Sequence, residues 1–276
     1  MEQASVVLGW FALALYIAAT VLYAYQFLLK RPAVAWWARF CTGAGFVCQT
    51  ASIGLHSVVT DGTDLTGGNS LVLASWVLVL IYFILEHLIK IRVYGTFLVP
   101  LAALALIIAH LMGVGTPQGE QSELLNSWRV GIHVALIFAA NAGFLVSAAS
   151  SAFYLIQDRQ LKRRRTTPLF RKLPSLATTQ KVARRAVVFA YPAYTVGLTL
   201  GIIRAIETDV NGWWADPRIM LAGVVWVVYG AYLLLVYRRG ISARAASWVS
   251  LAGFALVVVV GVIARTLPIG FHVFGI

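Results

Sequence analysis

The chain has 276 residues, 60% hydrophobic and only 12% charged, and its 22 Lys and Arg against 10 Asp and Glu give a formal net charge of +12. With a mean hydropathy of +0.82, this composition excludes a soluble globular domain, which is nearer half apolar and a quarter charged. No alternating ten-residue pattern recurs between turn signals, so a β-barrel is not expected. Lipid then leaves only helices, because every backbone polar group must be satisfied within its own segment.

The first apolar run, Val6 to Leu29, follows Met1-Glu2-Gln3 with no basic stretch before it. It is too long for a signal-peptide core and reads as a retained first span. Further spans are expected at about 39–59, 71–91, 95–112, 129–155, 186–206, 218–237 and 245–265, near the ~20 residues that a bilayer core requires. The expected fold is all-α: a polytopic transmembrane helical bundle of about eight spans, forming one integral membrane domain over 1–276. Cys41 and Cys48, seven apart in the second run, share a helical face but lie too far apart along it for a disulfide. They read as small core residues.

The connecting segments alternate in character. One set carries Lys30, Arg31, Arg39, Lys90, Arg92, the long segment 157–185, and Arg238, Arg239 and Arg244, together 18 of the 22 basic residues. The other carries Asp61, Asp64, Glu120, Glu123, Glu207, Asp209 and Asp216. The positive-inside rule makes the first set cytoplasmic and places both termini outside, as expected of a multi-pass protein of the cell inner (plasma) membrane. A basic charge distributed this way sets topology, and no nucleic-acid partner is expected. The cytoplasmic loop 157–185 reads either as a topology determinant or as a surface for anionic lipid headgroups or a cytoplasmic partner. Four arginines break the rule: Arg129, Arg204, Arg218 and Arg265, each near the outer end of a span. Arginine suits bidentate carboxylate pairing, and the alternative is interfacial snorkelling against the loop acids.

Of five histidines, His56, His110, His133 and His272 fall near the outer surface, and only His87 lies inside, beside Glu86 and Lys90. A single histidine is most often structural, but ionisable residues at membrane depth are expensive and imidazole is a common ligand for metals and metal-bearing cofactors. Between the sixth and seventh spans the outer loop reads IETDVNGWWADPRIM. Trp213 and Trp214 suit an interfacial belt; with Asp216, Pro217 and Arg218 they also make a short, stiff aromatic loop able to lie against a flat apolar ligand.

The segment from Pro192 to Tyr237 resembles the tryptophan-rich region of the cytochrome c assembly protein family, also called the CcsA/HemX family. That region carries a WGxxWxWDPKE-type motif followed by a span with a W-x-x-Y pattern. Asp216-Pro217-Arg218 matches its Asp-Pro-Lys, and Trp226 and Tyr229 match the following span. RVGIHVALIFAANAGFLVSAASSAFYLIQDRQLK is similar to the family's span bearing one outer histidine, and SLAGFALVVVVGVIARTLPIGFHVFGI to its last span and terminal histidine. The resemblance implies non-covalent haem b at the outer face, with His133 and His272 as axial ligands of the iron and His56 as the family's intramembrane histidine. Trp213, Trp214 and Asp216 would belong to the ring-binding loop, and Arg129, Arg204 or Arg265 would pair the propionates. It further implies haem and a cytochrome c maturation partner or apocytochrome c as partners. There is no Cys-x-x-Cys-His, so the chain carries no covalent haem of its own.

Against the motif, Asp209 and Ala215 stand where tryptophans would be, and Ile219 replaces the glutamate. These departures and the compact length resemble the HemX branch, associated with control of glutamyl-tRNA reductase levels, so a regulatory or scaffold role is the alternative expectation. Other classes fit poorly. A b-type electron carrier needs histidine pairs at two depths, and only His87 is inside. A transporter needs more intramembrane carboxylates than Glu86. No nucleophile motif with a base suggests an enzyme; at most the chain is a component of a haem-attachment system.

Overall fold

A computed structural model describes residues 1–29, 32–60, 68–89, 94–114, 128–164, 173–207 and 212–266. These residues form eight α-helices and no strand: α1 (Glu2–Leu29), α2 (Pro32–Val59), α3 (Asn69–Ile89), α4 (Gly95–Leu111), α5 (Trp128–Lys162), α6 (Leu176–Glu207), α7 (Pro217–Arg238) and α8 (Ala243–Thr266). One helix stands for each expected span, and the protein is an all-helical, polytopic membrane protein.

The helices overrun the apolar runs. α5 continues to Lys162 and α6 begins at Leu176, so the expected loop 157–185 is helical over 157–162 and 176–185. A span ends where hydrocarbon ends, whereas a helix ends where its propensity fails. Gln, Leu, Lys and Arg are good helix formers in water, so α5 reaches 35 residues, about 52 Å at 1.5 Å per residue. Six of the eight helices are long and apolar enough to cross a bilayer; α2 and α4 are the other two. α4 has 17 residues, about 26 Å of helix against a hydrocarbon core of about 30 Å. α2 is long enough but diluted by Thr42, Gln49, Thr50, Ser52 and His56.

Burial runs opposite to that of a soluble bundle. In α1 Ser5, Gly9, Ala12, Ala19 and the tyrosines 16 and 23 are buried, while Phe11, Val21 and Leu28 are exposed. In lipid the large apolar side chains lose nothing by facing outward, so interiors gather small residues that pack closely and polar ones that pair.

The chain forms two compact units, residues 1–131 and residues from 132 onward. In the first, α1 packs on α2 and α4, and α3 on α4. Gly45 lets α1 and α2 come close, since a Cβ there would stand 2.7 Å from Tyr16 Cε1. The interior polar groups pair across helices. Tyr16 donates to Gln49 Oε1 at 2.7 Å, and Gln49 Nε2 donates to the Val72 carbonyl at 3.0 Å. Tyr23 and Tyr82 share a hydroxyl–hydroxyl hydrogen bond, Tyr82 donates to Glu86 Oε2 at 2.7 Å, and Arg39 Nε meets Glu86 Oε1 at 3.1 Å.

The second unit holds α6, α7, α8 and α5 from Ile132 on. Phe144 of α5 stacks on Tyr229 of α7, centroids 3.7 Å apart and planes 6° from parallel, and both are fully buried. Ser147 of α5 and Ser250 of α8 are hydrogen-bonded at 2.8 Å. α5 meets α6 at Gly143, where a Cβ would stand 2.7 Å from that of Ala190. At the end of the unit richest in basic residues, Asp158 pairs with Lys162 at 3.0 Å and reaches Arg244 at 4.0 Å, and the Arg184 guanidinium lies 5.0 Å from the Tyr237 ring centre. Gly240, at φ +59°, makes the left-handed turn between α7 and α8.

Candidate functional site

The second unit brings several of the predicted residues to one end. His133 lies near the start of α5, Gly197, Gly201 and Arg204 near the end of α6, the aromatic turn just before α7, and Gly261 near the end of α8. Between these helix ends is a cavity of about 230 Å³, lined by His133, Asn141, Tyr194, Arg218 and otherwise mainly by aliphatic residues from all four helices.

The imidazole of His133 is held in a defined state. Its Nδ1 lies 2.6 Å from the carbonyl oxygen of Gly197. A carbonyl can only accept, so Nδ1 carries the proton, and Nε2 of the neutral ring keeps its lone pair. Gly201, one turn further along α6, leaves the notch in which the ring sits: a Cβ there would be 2.7 Å from Cε1 and 2.9 Å from Nδ1. A metal-ligating histidine commonly has this arrangement, with its second nitrogen donating to a carbonyl.

Asn141 follows His133 by eight residues on the same face of α5, and its buried Oδ1 has no hydrogen-bond partner. Deeper in the unit, Tyr194 donates to the Ala222 carbonyl at 3.3 Å and meets Phe144 edge to face.

The aromatic turn is short. Trp213, Trp214 and Ala215 form one 3-10 turn opened by Gly212, whose φ of +76° only glycine adopts freely. The two indoles stand edge to face, centroids 6.2 Å apart, and Trp214 is 67% exposed. Asp216 is buried. Its carboxylate accepts the Arg218 amide at 2.8 Å, so it caps α7, with Pro217 at the first helical position. The cap aligns the first turn of α7, and with it Arg218 and Ile219 at the cavity wall.

Arg204 follows Gly201 by less than a turn and pairs with Glu207 at 3.9 Å. Arg129 lies one turn before His133 in α5. Arg265 belongs to the last turn of α8, and its side chain, like His272, lies outside the described residues. His56 stands near the end of α2 in the first unit. There His110 donates from Nδ1 to the Leu106 carbonyl at 2.8 Å and its ring lies 4.4 Å from that of Trp10. His87 is exposed. Among the described residues, no three His, Cys, Asp or Glu side chains gather as a protein-only metal site.

Sequence reading missed three contributors. Asn141 carried a signal, as a lone amide in an apolar run. Gly197 and Gly201 carried none, because glycines four apart in a span ordinarily mark helix packing.

A family model described as Cytochrome C assembly protein matches residues 68–272. The chain is 29% identical over 216 residues to Protein HemX of Brevibacillus brevis, covering 78% of this chain and 77% of that one. It is also 29% identical over 235 residues to the Cytochrome c biogenesis protein CcsA of Prochlorococcus marinus (strain MIT 9303), covering 75% and 73%.

Proposed function

This chain belongs to the cytochrome c assembly protein family, and we propose that it binds haem b non-covalently at the outer membrane face, handling it for cytochrome c biogenesis. The observation that carries this reading is the seating of His133. Its Nδ1 proton is fixed on the Gly197 carbonyl and its ring lines a largely apolar cavity, which is the preparation an axial imidazole needs.

Of the residues assigned to such a group, His133 lines the cavity, and the others are assigned by resemblance to the family. His133 and His272 would hold the haem iron through their ring nitrogens. Trp213 and Trp214 would offer ring faces, with Asp216 holding that turn to α7. Arg129, Arg204 and Arg265 would pair the propionates, and His56 would serve as the intramembrane histidine of the family. At about 230 Å³, the cavity is smaller than the roughly 300–1,000 Å³ that encloses a small molecule, so it would take part of a macrocycle. Bound there, haem would supply an iron centre taking two imidazole ligands. The chain's own residues would bind and orient it. Apocytochrome c or a maturation protein is the partner expected for this role.

The test is the absorption spectrum of the purified protein, oxidised and then dithionite-reduced. A Soret band with sharp reduced α and β bands is expected, and both are lost in His133→Ala/His272→Ala. Unchanged haem stoichiometry in the double variant would sink the assignment.

A regulatory or scaffold role is favoured by a different observation, the similarity to a relative named Protein HemX. The working surface would then be 157–185, facing a cytoplasmic partner. A purified protein that is colourless and takes up no added haemin would point to that role.

A further inference from the structure

We infer that Gly201, together with the carbonyl of Gly197, is a positioning element for His133, selecting its tautomer and the direction of its Nε2. This deepens the haem reading and rests on it. Glycines at positions 197 and 201 share one face of α6, the spacing that usually lets two membrane helices approach. Gly197 does serve that end: a Cβ there would meet Ile137 Cδ1 at 3.0 Å. Gly201 differs. The atoms nearest its missing Cβ all belong to one imidazole: Cε1 at 2.7 Å, Nδ1 at 2.9 Å and Nε2 at 3.5 Å.

Two constraints therefore act on one ring. The Gly197 oxygen, 2.6 Å from Nδ1, draws that edge toward α6, and the Gly201 notch lets the ring come close enough for the bond to form. A methyl group at 201 cannot share this space. Real Cβ contacts essentially never fall below 3 Å, and the atoms that must give way belong to a side chain with two rotatable torsions. The ring must turn about χ1 or χ2, which breaks the bond to Gly197 and releases the tautomer. Nε2 then changes direction with the ring. Loss of such an orienting partner ordinarily weakens metal binding by about 10–100-fold.

The comparison variant is Gly143→Ala. It crowds the same helix pair equally, 2.7 Å from the Ala190 Cβ, without touching the imidazole. Haem affinity and low-spin spectrum are measured for wild type, Gly201→Ala, Gly143→Ala and His133→Ala. Gly201→Ala should bind haem about 10–100-fold more weakly with the low-spin bands diminished. Gly143→Ala, which crowds the two helices but leaves the notch open, should lose less affinity than Gly201→Ala. Equal losses in both glycine variants would mean crowding alone, and an unaltered Gly201→Ala would mean that the notch is incidental; either overturns the inference. If His133→Ala retains the wild-type spectrum, His133 is not a ligand and the inference falls while haem binding stands; a colourless wild-type protein that takes up no haemin means that the haem reading itself has failed. A readout free of haem comes from ¹⁵N-histidine NMR of the haem-free protein in detergent. His133 should give the shifts of a neutral ring protonated at Nδ1, and an Nε2-protonated ring would refute the positioning role even if Gly201→Ala does not fold.

Discussion

Replacing Glu86 by Ala should destabilise the first helical unit by about 2 kcal/mol, and the structure says where that figure comes from. Glu86 is 8% exposed and accepts from Tyr82 at 2.7 Å and Arg39 at 3.1 Å. Hydrogen bonds inside membrane proteins average about 0.6 kcal/mol and reach about 1.7. The Tyr82 bond belongs at the upper end, because its acceptor is charged and dry. The Arg39 side chain is 48% exposed, so that pair contributes about 0.5 kcal/mol after solvent screening. Glu86→Gln retains an acceptor for Tyr82 and should cost about half as much, roughly 1 kcal/mol. Arg39→Ala should cost only about 0.5 kcal/mol. The assay is reversible unfolding in mixed dodecyl maltoside and SDS micelles, followed by circular dichroism. If Arg39→Ala proves more disruptive than Glu86→Ala, the network is held by the ion pair and the ordering argued from exposure is wrong.

Two further outcomes follow from the second unit. Asp216→Ala should remove the cap of α7 at a cost of about 1 kcal/mol, speeding hydrogen exchange at the Arg218 amide, while Asp216→Asn keeps most of the protection. Unchanged exchange in Asp216→Ala would remove the capping role. Phe144→Ala, which empties the space beside Tyr229, should cost about 3–5 kcal/mol in the same micellar unfolding assay, and a cost below about 1 kcal/mol would mean that the core relaxes around the gap.

Fold class was fully legible in the sequence, because apolar runs between charged turns admit only one solution in lipid. Helix limits were not: the polar ends of α5 and α6 obey helix propensity rather than hydropathy. The site was legible in its types and less so in its geometry. His133 and the aromatic turn stand out in sequence, and the fold brings them to one end of one unit. Arg218 was visible as an arginine against the charge rule, but its place on the cavity wall depends on the cap formed by Asp216. That Asp-Pro pair is a helix-start signal in its own right, and reading it only as part of a family motif hid its local role. The seat of His133 was out of reach, since a glycine that accommodates an imidazole reads the same as one that accommodates a neighbouring helix.

The length of α5 has a mechanical side. His133 and Lys162 stand 29 residues apart on this one helix, about 44 Å along its axis. A rod of that length converts angle into displacement. Tilting it by about 5° around His133 would carry Lys162 sideways by roughly 4 Å, as far as the whole separation between Asp158 and Arg244, 4.0 Å. A small reorientation at one end of α5 is thus enough to disturb the ionic contacts at its other end, once the packing of Phe144 and Ser147 in between shifts with it.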